Sequence, residues 1–214
     1  MQSKAACPVR DLVQDQFRAE VIRVPDGDTI VVDAPNTYSQ DLISIRLLGI
    51  DTPETHYYGK SQGYWGDVAS NRLKQLLPIG SRVIIELDKT RCDRFGRVLG
   101  YVFKQDTVFL NQIMLEESLA VNYCIAPNLK YCETFGKIVE KNIEKHSGMF
   151  GDRKLLIPYE WRRRESNRLY EKFVGNIETR TVYQPRSVHL VPIWARVFFI
   201  YKDQVKAPYE FAEN

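Results

Sequence analysis

Short stretches in which apolar and polar residues alternate fill much of the first half of the chain. Because successive side chains of a β-strand point to opposite faces, each such stretch predicts a half-buried strand. In one of them Ile43, Ile45 and Leu47 share a face, so Arg46 is expected on the opposite face. The five predicted strands are Val21–Val24, Thr29–Val32, Leu42–Leu48, Val83–Leu87 and Val98–Phe103.

Turn and helix signals connect these strands. Asp26-Gly27, between the first two strands, is typical of a tight hairpin and predicts that they pair antiparallel. Apolar residues recur at helical spacing in 61–77, 110–119 and 132–146, which predicts three helices. Five short strands with interspersed helices predict an α+β, mainly β fold built on a small closed Greek-key barrel.

The last part of the chain differs in charge. Residues 153–214 hold 12 Lys and Arg against 7 Asp and Glu, net +5, whereas residues 1–152 hold 18 against 20, net −2. A helix is expected at 159–173, and strands at 179–183 and 188–201. The predicted regions are an N-terminal segment 1–18, a core domain 19–152 and a basic C-terminal extension 153–214 packed on or beside the core.

The amino-acid composition excludes several classes of protein. With 44% hydrophobic residues over 214 positions, the chain can bury a substantial core. Thirty Lys and Arg against 27 Asp and Glu give a net charge of only +3, which excludes nucleic-acid binding by bulk charge alone. The longest apolar cluster, Val197–Tyr201, is far shorter than the roughly 20 residues of a membrane span, so we expect no membrane insertion.

Neither the N-terminus nor the cysteines decide the compartment. The chain starts without an apolar signal-peptide core, although a mature secreted or periplasmic form, which is favoured over a cytoplasmic one, would look the same. Cys7, Cys92, Cys124 and Cys132 could form two disulfides, most plausibly involving Cys124 and Cys132, or stay free thiols. Their spacing, with no Cys-x-x-Cys, argues against a zinc finger.

Carboxylates converge from two places in the predicted barrel. Asp26 and Asp28 lie in the first hairpin turn, and Asp51 and Glu54 lie at the end of the third strand. Antiparallel strands could bring these ends together, and oxygen ligands without nearby His or Cys suit calcium, or less well magnesium. Asp28 and Asp51 are therefore the candidate metal ligands.

Each of these segments also has a purely structural interpretation. Asp26–Thr29 reads alone as a polar hairpin turn, which is compatible with a site. Asp51–Glu54 reads as a helix capping box, but 55–59 lacks the apolar stripe of a helix. Arg46 and Arg97 would, in isolation, be solvated strand arginines. Beside a metal and a carboxylate, however, arginines can neutralise the charge that develops on a phosphodiester as water attacks it.

Three motifs in this order, Asp26–Thr29, Arg46–Glu54 and Asp93–Arg97, resemble the staphylococcal nuclease (thermonuclease) family. The similarity runs over residues 19–152, and Pro158–Arg162 resembles a stretch that follows the core in bacterial members. The resemblance implies a five-stranded OB-fold barrel with about three packed helices. It also implies a calcium-dependent enzyme that cuts DNA and RNA and leaves 3′-phosphate ends.

The resemblance assigns roles to individual residues. Asp28 and Asp51 would bind calcium through their carboxylates and Thr52 through its backbone carbonyl. Glu54 would hold or deprotonate the attacking water. The catalytic arginines Arg46 and Arg97 would clasp the phosphate, and loss of either should raise the barrier by roughly 3 kcal/mol.

Substrate contacts are expected from Arg94 and Tyr123, with Tyr123 stacking on a base. Two departures from the family pattern are expected to weaken these substrate contacts or to shift them to other residues. Phe95 stands where a tyrosine hydroxyl commonly contacts a phosphate, and the loop 125–127 lacks a second aromatic residue.

Other functions compete with a calcium-dependent nuclease. A catalytically silent module of this family would bind nucleic acid or a protein, but such modules usually lose the acids or arginines that this chain keeps. The C-terminal extension could instead carry a protein partner or a dimer contact. Arg162–Arg164 is interpreted as a solvated helix face in preference to a track for a polyanion.

Overall fold

The computed structural model describes residues 7–35, 41–167 and 169–213. The first six residues, which bear on the question of export, lie outside this range. The chain divides into two compact units, of which the first comprises Met1–Leu48 with Thr52–Met114 and the second Gly49–Asp51 with Leu115–Asn214.

Helices are interspersed among groups of strands along the described chain. The strands are β1 Gln16–Asp26, β2 Thr29–Asp33, β3 Ile43–Leu47, β4 Gly49–Asp51, β5 Arg82–Cys92, β6 Val98–Lys104, β7 Val108–Phe109, β8 Val121–Ile125, β9 Phe173–Asn176, β10 Thr181–Tyr183, β11 Arg196–Phe199 and β12 Glu210–Phe211. The α-helices are α1 Tyr64–Leu76, α2 Leu110–Glu116, α3 Cys132–Glu144 and α4 Pro158–Ser166. Short 3-10 segments lie at Gly148–Gly151, Pro185–Leu190, Ile193–Ala195 and Lys202–Gln204.

Five strands of the first unit close into a barrel. The hydrogen-bonded order is β1, β2, β3, β6, β5 and back to β1, and β7 pairs with the end of β6. All neighbours in the barrel are antiparallel except β3 and β6, which are parallel. This closed barrel with packed helices confirms the expected α+β OB-fold architecture.

The barrel forms because alternate residues of its strands are apolar and turn inward. In β3, Ile43, Ile45 and Leu47 are buried and Arg46 is only partly so, as the alternation predicts. At the first hairpin Asp26 pairs with Thr29 across the two-residue turn Gly27-Asp28. Helix α1 packs on the barrel strand β1, with Ala69 and Leu73 fully buried.

The second unit contains a sheet that the alternation of apolar and polar residues along the chain did not predict. Its strand order is β12, β10, β9, β11, β8 and β4. Strand β11 is buried along its whole length and lies between β9, to which it is antiparallel, and β8, to which it is parallel. The C-terminal strands therefore extend a sheet that begins with β4 and β8.

Two expected elements near the C-terminus differ from the structure. The helix expected at 159–173 ends at Ser166, because Asn167 takes a left-handed conformation, with φ 49°, that terminates the helix. The strand expected at 188–201 is reduced to β11, because Pro185 and Pro192 introduce 3-10 turns before it.

Both disulfides that the cysteine count allowed are formed. Cys7 is bonded to Cys92, and Cys124 is bonded to Cys132, each within a single unit. The first bond attaches the N-terminal segment to the end of β5, and the second joins β8 to the start of α3. The predicted boundary at Asp152 lies within the second unit and stays a prediction.

Candidate active site

Asp28 and Arg46 form a buried ion pair on the barrel. Strand β2 starts directly after Asp28 and pairs with β3 so that Thr29 lies opposite Arg46. Arg46 Nη2 lies 2.8 Å from Asp28 Oδ2, and the two side chains are 13% and 9% exposed. The Leu47 amide donates to the Asp28 carbonyl at 2.9 Å. Backbone and side chain together therefore fix Asp28 against β3.

Thr52 joins this pair through its backbone. Its amide donates to Asp28 Oδ2 at 3.2 Å, and its hydroxyl is buried without a hydrogen-bond partner among the described residues. Gly27 provides the space, since a Cβ at that position would lie 2.8 Å from Thr52 Oγ1. An unsatisfied buried hydroxyl is uncommon in folded proteins, so Thr52 is a candidate functional position.

Glu54 starts the loop that leads into α1. Its amide donates to Gln62 Oε1 at 3.1 Å, and its carbonyl accepts from the Gln62 amide at 2.8 Å. Helix α1 approaches closely, because a Cβ on Gly66 would lie only 2.7 Å from the Glu54 carbonyl oxygen. The backbone of Glu54 is thus held on two sides, and the residue itself is partly exposed.

Asp26 is an unusual acid beside this group. Burial raises the pKa of Asp26 to about 6, and the neighbouring Asp28 carboxylate raises it as well. Hydrogen bonds from the Gly27 amide and the Thr55 side chain, together with Arg46, oppose this rise. Asp26 therefore holds a proton at a pH where an ordinary aspartic acid is ionised.

Arg97 is organised by the turn that precedes β6. Asp93 Oδ1 accepts from the amides of Phe95 and Arg97 at 2.9 and 3.0 Å, and Asp93 Oδ2 accepts from Arg97 Nε at 2.8 Å. The guanidinium carbons of Arg94 and Arg97 lie 4.8 and 5.7 Å from the centre of the Phe95 ring, which is 64% exposed. Phe95 therefore supports two surface arginines through its ring.

The strand register relates Arg97 to Arg46. Parallel pairing of β3 with β6 sets Arg46 opposite Leu99 and Ile45 opposite Val98. Because alternate residues share a face, Arg97, two positions before Leu99, enters β6 on the side of the barrel that carries Arg46. Both Ile45 and Val98 are fully buried, so this shared side is the outer one.

In the second unit, Asp51 is bound by an arginine from the C-terminal part of the chain. Asp51 ends β4 and is 0% exposed. Arg162 of α4 donates from Nη1 to Oδ1 at 3.1 Å and from Nη2 to Oδ2 at 2.7 Å. The interpretation of Arg162–Arg164 as a solvated helix face is wrong for Arg162, because its guanidinium neutralises a buried carboxylate. It is also wrong for Arg163, whose side chain is only 15% exposed. Arg164 is 62% exposed, as expected.

Tyr123 of β8 belongs to a group of rings and cations in the same unit. Its ring centre lies 5.8 Å from the Arg162 guanidinium carbon and 5.9 Å from Lys172 Nζ. The Tyr159 ring centre lies 5.1 Å from Lys172 Nζ and 5.3 Å from the Arg163 guanidinium carbon. We call Tyr123, Tyr159, Arg162, Arg163 and Lys172 the tyrosine–cation cluster.

Two members of this cluster have shifted proton affinities. Burial lowers the pKa of Lys172 to about 8, and Arg163 and Arg162 lower it further, whereas Asp51 and Glu171 oppose the shift. Burial also raises the pKa of Tyr159 above its usual range, so its hydroxyl stays protonated.

Apart from Glu54, whose backbone is hydrogen-bonded to Gln62, the site residues predicted from sequence fall into three groups. Asp28, Arg46 and Thr52 are directly bonded in the first unit, while Arg97 and Arg94 share the turn before β6. Asp51 and Tyr123 contact α4 of the second unit.

Sequence reasoning missed three residues: Arg162, Tyr159 and Lys172. The similarity of Pro158–Arg162 to a stretch found in other members was the one signal for the first two. No pattern marked Lys172.

Two absences concern the described ranges 7–35, 41–167 and 169–213. No group of three or more His, Cys, Asp or Glu side chains is placed to hold a metal ion there. None of the helices in those ranges is sufficiently long and apolar to span a membrane.

Comparison with known proteins assigns the chain to a family. The staphylococcal nuclease homologue family matches residues 44–152, which is more than half of the 214 residues. The chain belongs to this family. The match contains Arg46, Asp51, Thr52, Glu54 and Arg97.

Curated relatives include several nucleases. Thermonuclease of Staphylococcus hyicus is 39% identical over 114 residues, covering 53% of this chain and 64% of its own. The SPbeta prophage-derived endonuclease YokF of Bacillus subtilis is 40% identical over 117 residues, covering 54% of this chain and 38% of its own.

Endonuclease YhcR of Bacillus subtilis is 27% identical over 221 aligned residues, covering 95% of this chain but 18% of its own length. This member of the staphylococcal nuclease homologue family therefore spans less than two thirds of each of these relatives.

Proposed function

We propose that this chain is a calcium-dependent nuclease that hydrolyses phosphodiester bonds of DNA and RNA and leaves 3′-phosphate ends. The observation that carries the proposal is the buried Asp28–Arg46 ion pair, to which Thr52 is bonded, in a member of a nuclease family. The names of the relatives, thermonuclease and endonuclease, support the same class of reaction.

The donor set suits a hard divalent cation. Asp28 and Asp51 supply carboxylate oxygens, and Thr52, which follows Asp51 in the chain, supplies a backbone carbonyl. Thr52 also carries the buried hydroxyl without a hydrogen-bond partner among the described residues. We propose that these three residues hold calcium, which when bound would neutralise charge on the phosphoryl oxygens.

The remaining proposed roles belong to the chain's own side chains. Glu54, partly exposed on a fixed backbone, would accept a proton from the attacking water. Arg46 and Arg97 lie on the same outer side of the barrel, so both guanidinium groups could donate to one phosphate. Their planar donor geometry matches phosphate oxygens, which would stabilise charge that develops during hydrolysis.

One contact favours the competing function, a catalytically silent module that binds nucleic acid. Both oxygens of Asp51 accept hydrogen bonds from Arg162. A carboxylate so bound is a poorer ligand, because the guanidinium neutralises its charge and repels a second cation. The two functions therefore differ in their response to calcium. The nuclease should cleave nucleic acid when calcium is added, whereas the silent module should not cleave with or without it.

Cleavage of a labelled single-stranded oligonucleotide, with calcium or with a chelator, tests the proposal. Calcium should support cleavage and the chelator should abolish it. Glu54→Gln should lower the rate about a hundredfold or more, because general-base catalysis contributes at least that much. Glu20→Gln, an exposed carboxylate of β1, is the matched control and should leave the rate unchanged.

The product ends test the remaining part of the proposal. Fragments with a 3′-phosphate should resist extension by a polymerase until a phosphatase removes that group. Binding of the oligonucleotide without any cleavage would instead establish the silent module. Cleavage that is indifferent to both chelator and Glu54→Gln would contradict the proposed mechanism.

A further inference from the structure

Lys172 forms no ion pair with the acidic side chains that the structure describes. It directly precedes β9, is partly buried, and its ammonium nitrogen lies over the rings of Tyr123 and Tyr159. An aromatic face attracts an ammonium group but leaves its positive charge uncompensated. Lys172 therefore brings a net charge into a partly desolvated position.

The neighbouring arginines are, in contrast, paired. Arg162 is bound to Asp51, and Arg163 donates to the Leu169 carbonyl at 2.9 Å and lies 3.7 Å from Glu171. Arg196 Nη1 lies 2.9 Å from Glu160 Oε1. Lys172 thus differs from these arginines in lacking an ion pair among the described residues. Asp51 and Glu171 attract its ammonium group, but burial and repulsion by Arg163 and Arg162 outweigh that attraction.

The cluster also contains an unused hydrogen-bonding group. The hydroxyl of Tyr159, in a residue that is 2% exposed, has no hydrogen-bond partner among the described residues. On the same helix, Arg163 lines an open depression together with Leu156, Glu160, Arg164 and Tyr170. Arg163, Arg164 and Tyr170 give this depression cations and an aromatic ring, which proteins that bind single-stranded nucleic acids combine.

We propose that the tyrosine–cation cluster is a binding subsite for a single-stranded nucleic acid, in which the ammonium group of Lys172 contacts a backbone phosphodiester. The choice of a nucleic acid as the ligand rests on the proposed nuclease function. The subsite adds residues of the chain that follow the family match, which ends at residue 152. In this subsite the substrate would supply the direct anionic partner that Lys172, placed near two tyrosine rings, lacks among the described residues.

Binding in the absence of cleavage tests this subsite. The probe is a fluorescent thymidine oligonucleotide of about 12 nucleotides, within the site size of an OB-fold, measured by anisotropy with a chelator present. Lys172→Gln should weaken binding several-fold. The slope of log affinity against log salt should fall in magnitude by about 0.7, the value for one lost phosphate contact on a single strand.

Lys202→Gln is the matched control, because Lys202 Nζ also lies over an aromatic ring, 5.4 Å from the centre of Phe211, in the same unit. It should leave affinity and slope unchanged. Lys172→Arg, which keeps the charge, should restore most of the binding. Equal effects of Lys172→Gln and Lys202→Gln would overturn the proposal.

Chemical modification gives a second measurement that needs no variant. Lys172 of the native chain should be protected from amine acetylation by the oligonucleotide, and Lys202 should not. Inorganic phosphate at matched ionic strength should not protect Lys172, and protection by it would reassign the site to free phosphate. Native chain that binds the oligonucleotide but fails to cleave would contradict the proposed function and leave this inference standing; unprotected Lys172 would overturn the inference alone.

Discussion

The guanidinium of Arg162 forms two hydrogen bonds to the carboxylate of Asp51, of 3.1 and 2.7 Å, although the two residues are separated by 111 positions in the chain. Asp51 is fully buried, and a buried carboxylate without a counter-charge is strongly disfavoured. Arg162 therefore makes α4 part of the structural support of a residue that we propose as a metal ligand.

Replacing Arg162 by methionine should destabilise the protein. The change removes both hydrogen bonds and leaves Asp51 uncompensated, which should lower the free energy of unfolding by about 3 kcal/mol. Urea denaturation followed by circular dichroism measures this loss. Arg164→Met is the matched control, since that side chain is 62% exposed, and should change stability by less than about 0.5 kcal/mol.

A double variant separates charge from packing at this position. Arg162→Met combined with Asp51→Leu removes the buried charge together with its partner, so it should be more stable than Arg162→Met alone. A double variant that is less stable than either single variant would contradict this account of the pair.

Asp26 should make stability depend on pH in an unusual direction. Its pKa of about 6 in the folded protein lies above the ordinary value of 3.8, so the folded state binds more protons than the unfolded state between these values. The contribution of Asp26 to stability is therefore present below about pH 4 and is lost as the pH rises to 6. The loss is at most about 3 kcal/mol.

The variant Asp26→Asn removes this titration. The free energy of unfolding of the variant, minus that of the native chain, should increase from pH 4 to pH 6 in the presence of a chelator. Urea denaturation at several pH values measures the difference. A difference that stays constant over this range would show that Asp26 is ionised like an exposed aspartate.

The two disulfides should contribute unequally to stability. Cys7–Cys92 joins positions 85 apart, and Cys124–Cys132 joins positions 8 apart. Because closing a longer loop restricts the unfolded chain more, removing the first bond by two serine substitutions should cost about 4.5 kcal/mol and the second about 2.5 kcal/mol. Denaturation of both double variants tests the order, and a larger loss for the shorter loop would contradict it.

Much of the barrel could be predicted from sequence because its strands are amphipathic. The alternation at Ile43, Ile45 and Leu47 showed which side Arg46 occupies, and Asp26-Gly27 indicated the first hairpin. These are local signals, in which each residue's environment follows from its neighbours in the chain.

The second sheet could not be predicted in the same way. Strand β11 is buried on both faces and therefore shows no alternation, and β4 has only 3 residues. The Asp51–Arg162 pair is equally inaccessible to local reasoning, because an arginine on a polar helix face has the same sequence pattern whether it is solvated or bound to a distant carboxylate.

The parallel pairing of β11 with β8 bears on how the chain can be shortened. A chain cut after Asp152 would lose β11, and the edge of β8 from Cys124 to Ile125 would expose unpaired amide and carbonyl groups. Such an edge invites pairing between molecules, so the shortened protein should aggregate. Point substitutions such as Lys172→Gln, which leave β11 in place, are therefore preferable to truncation for testing nucleic-acid binding by this part of the chain.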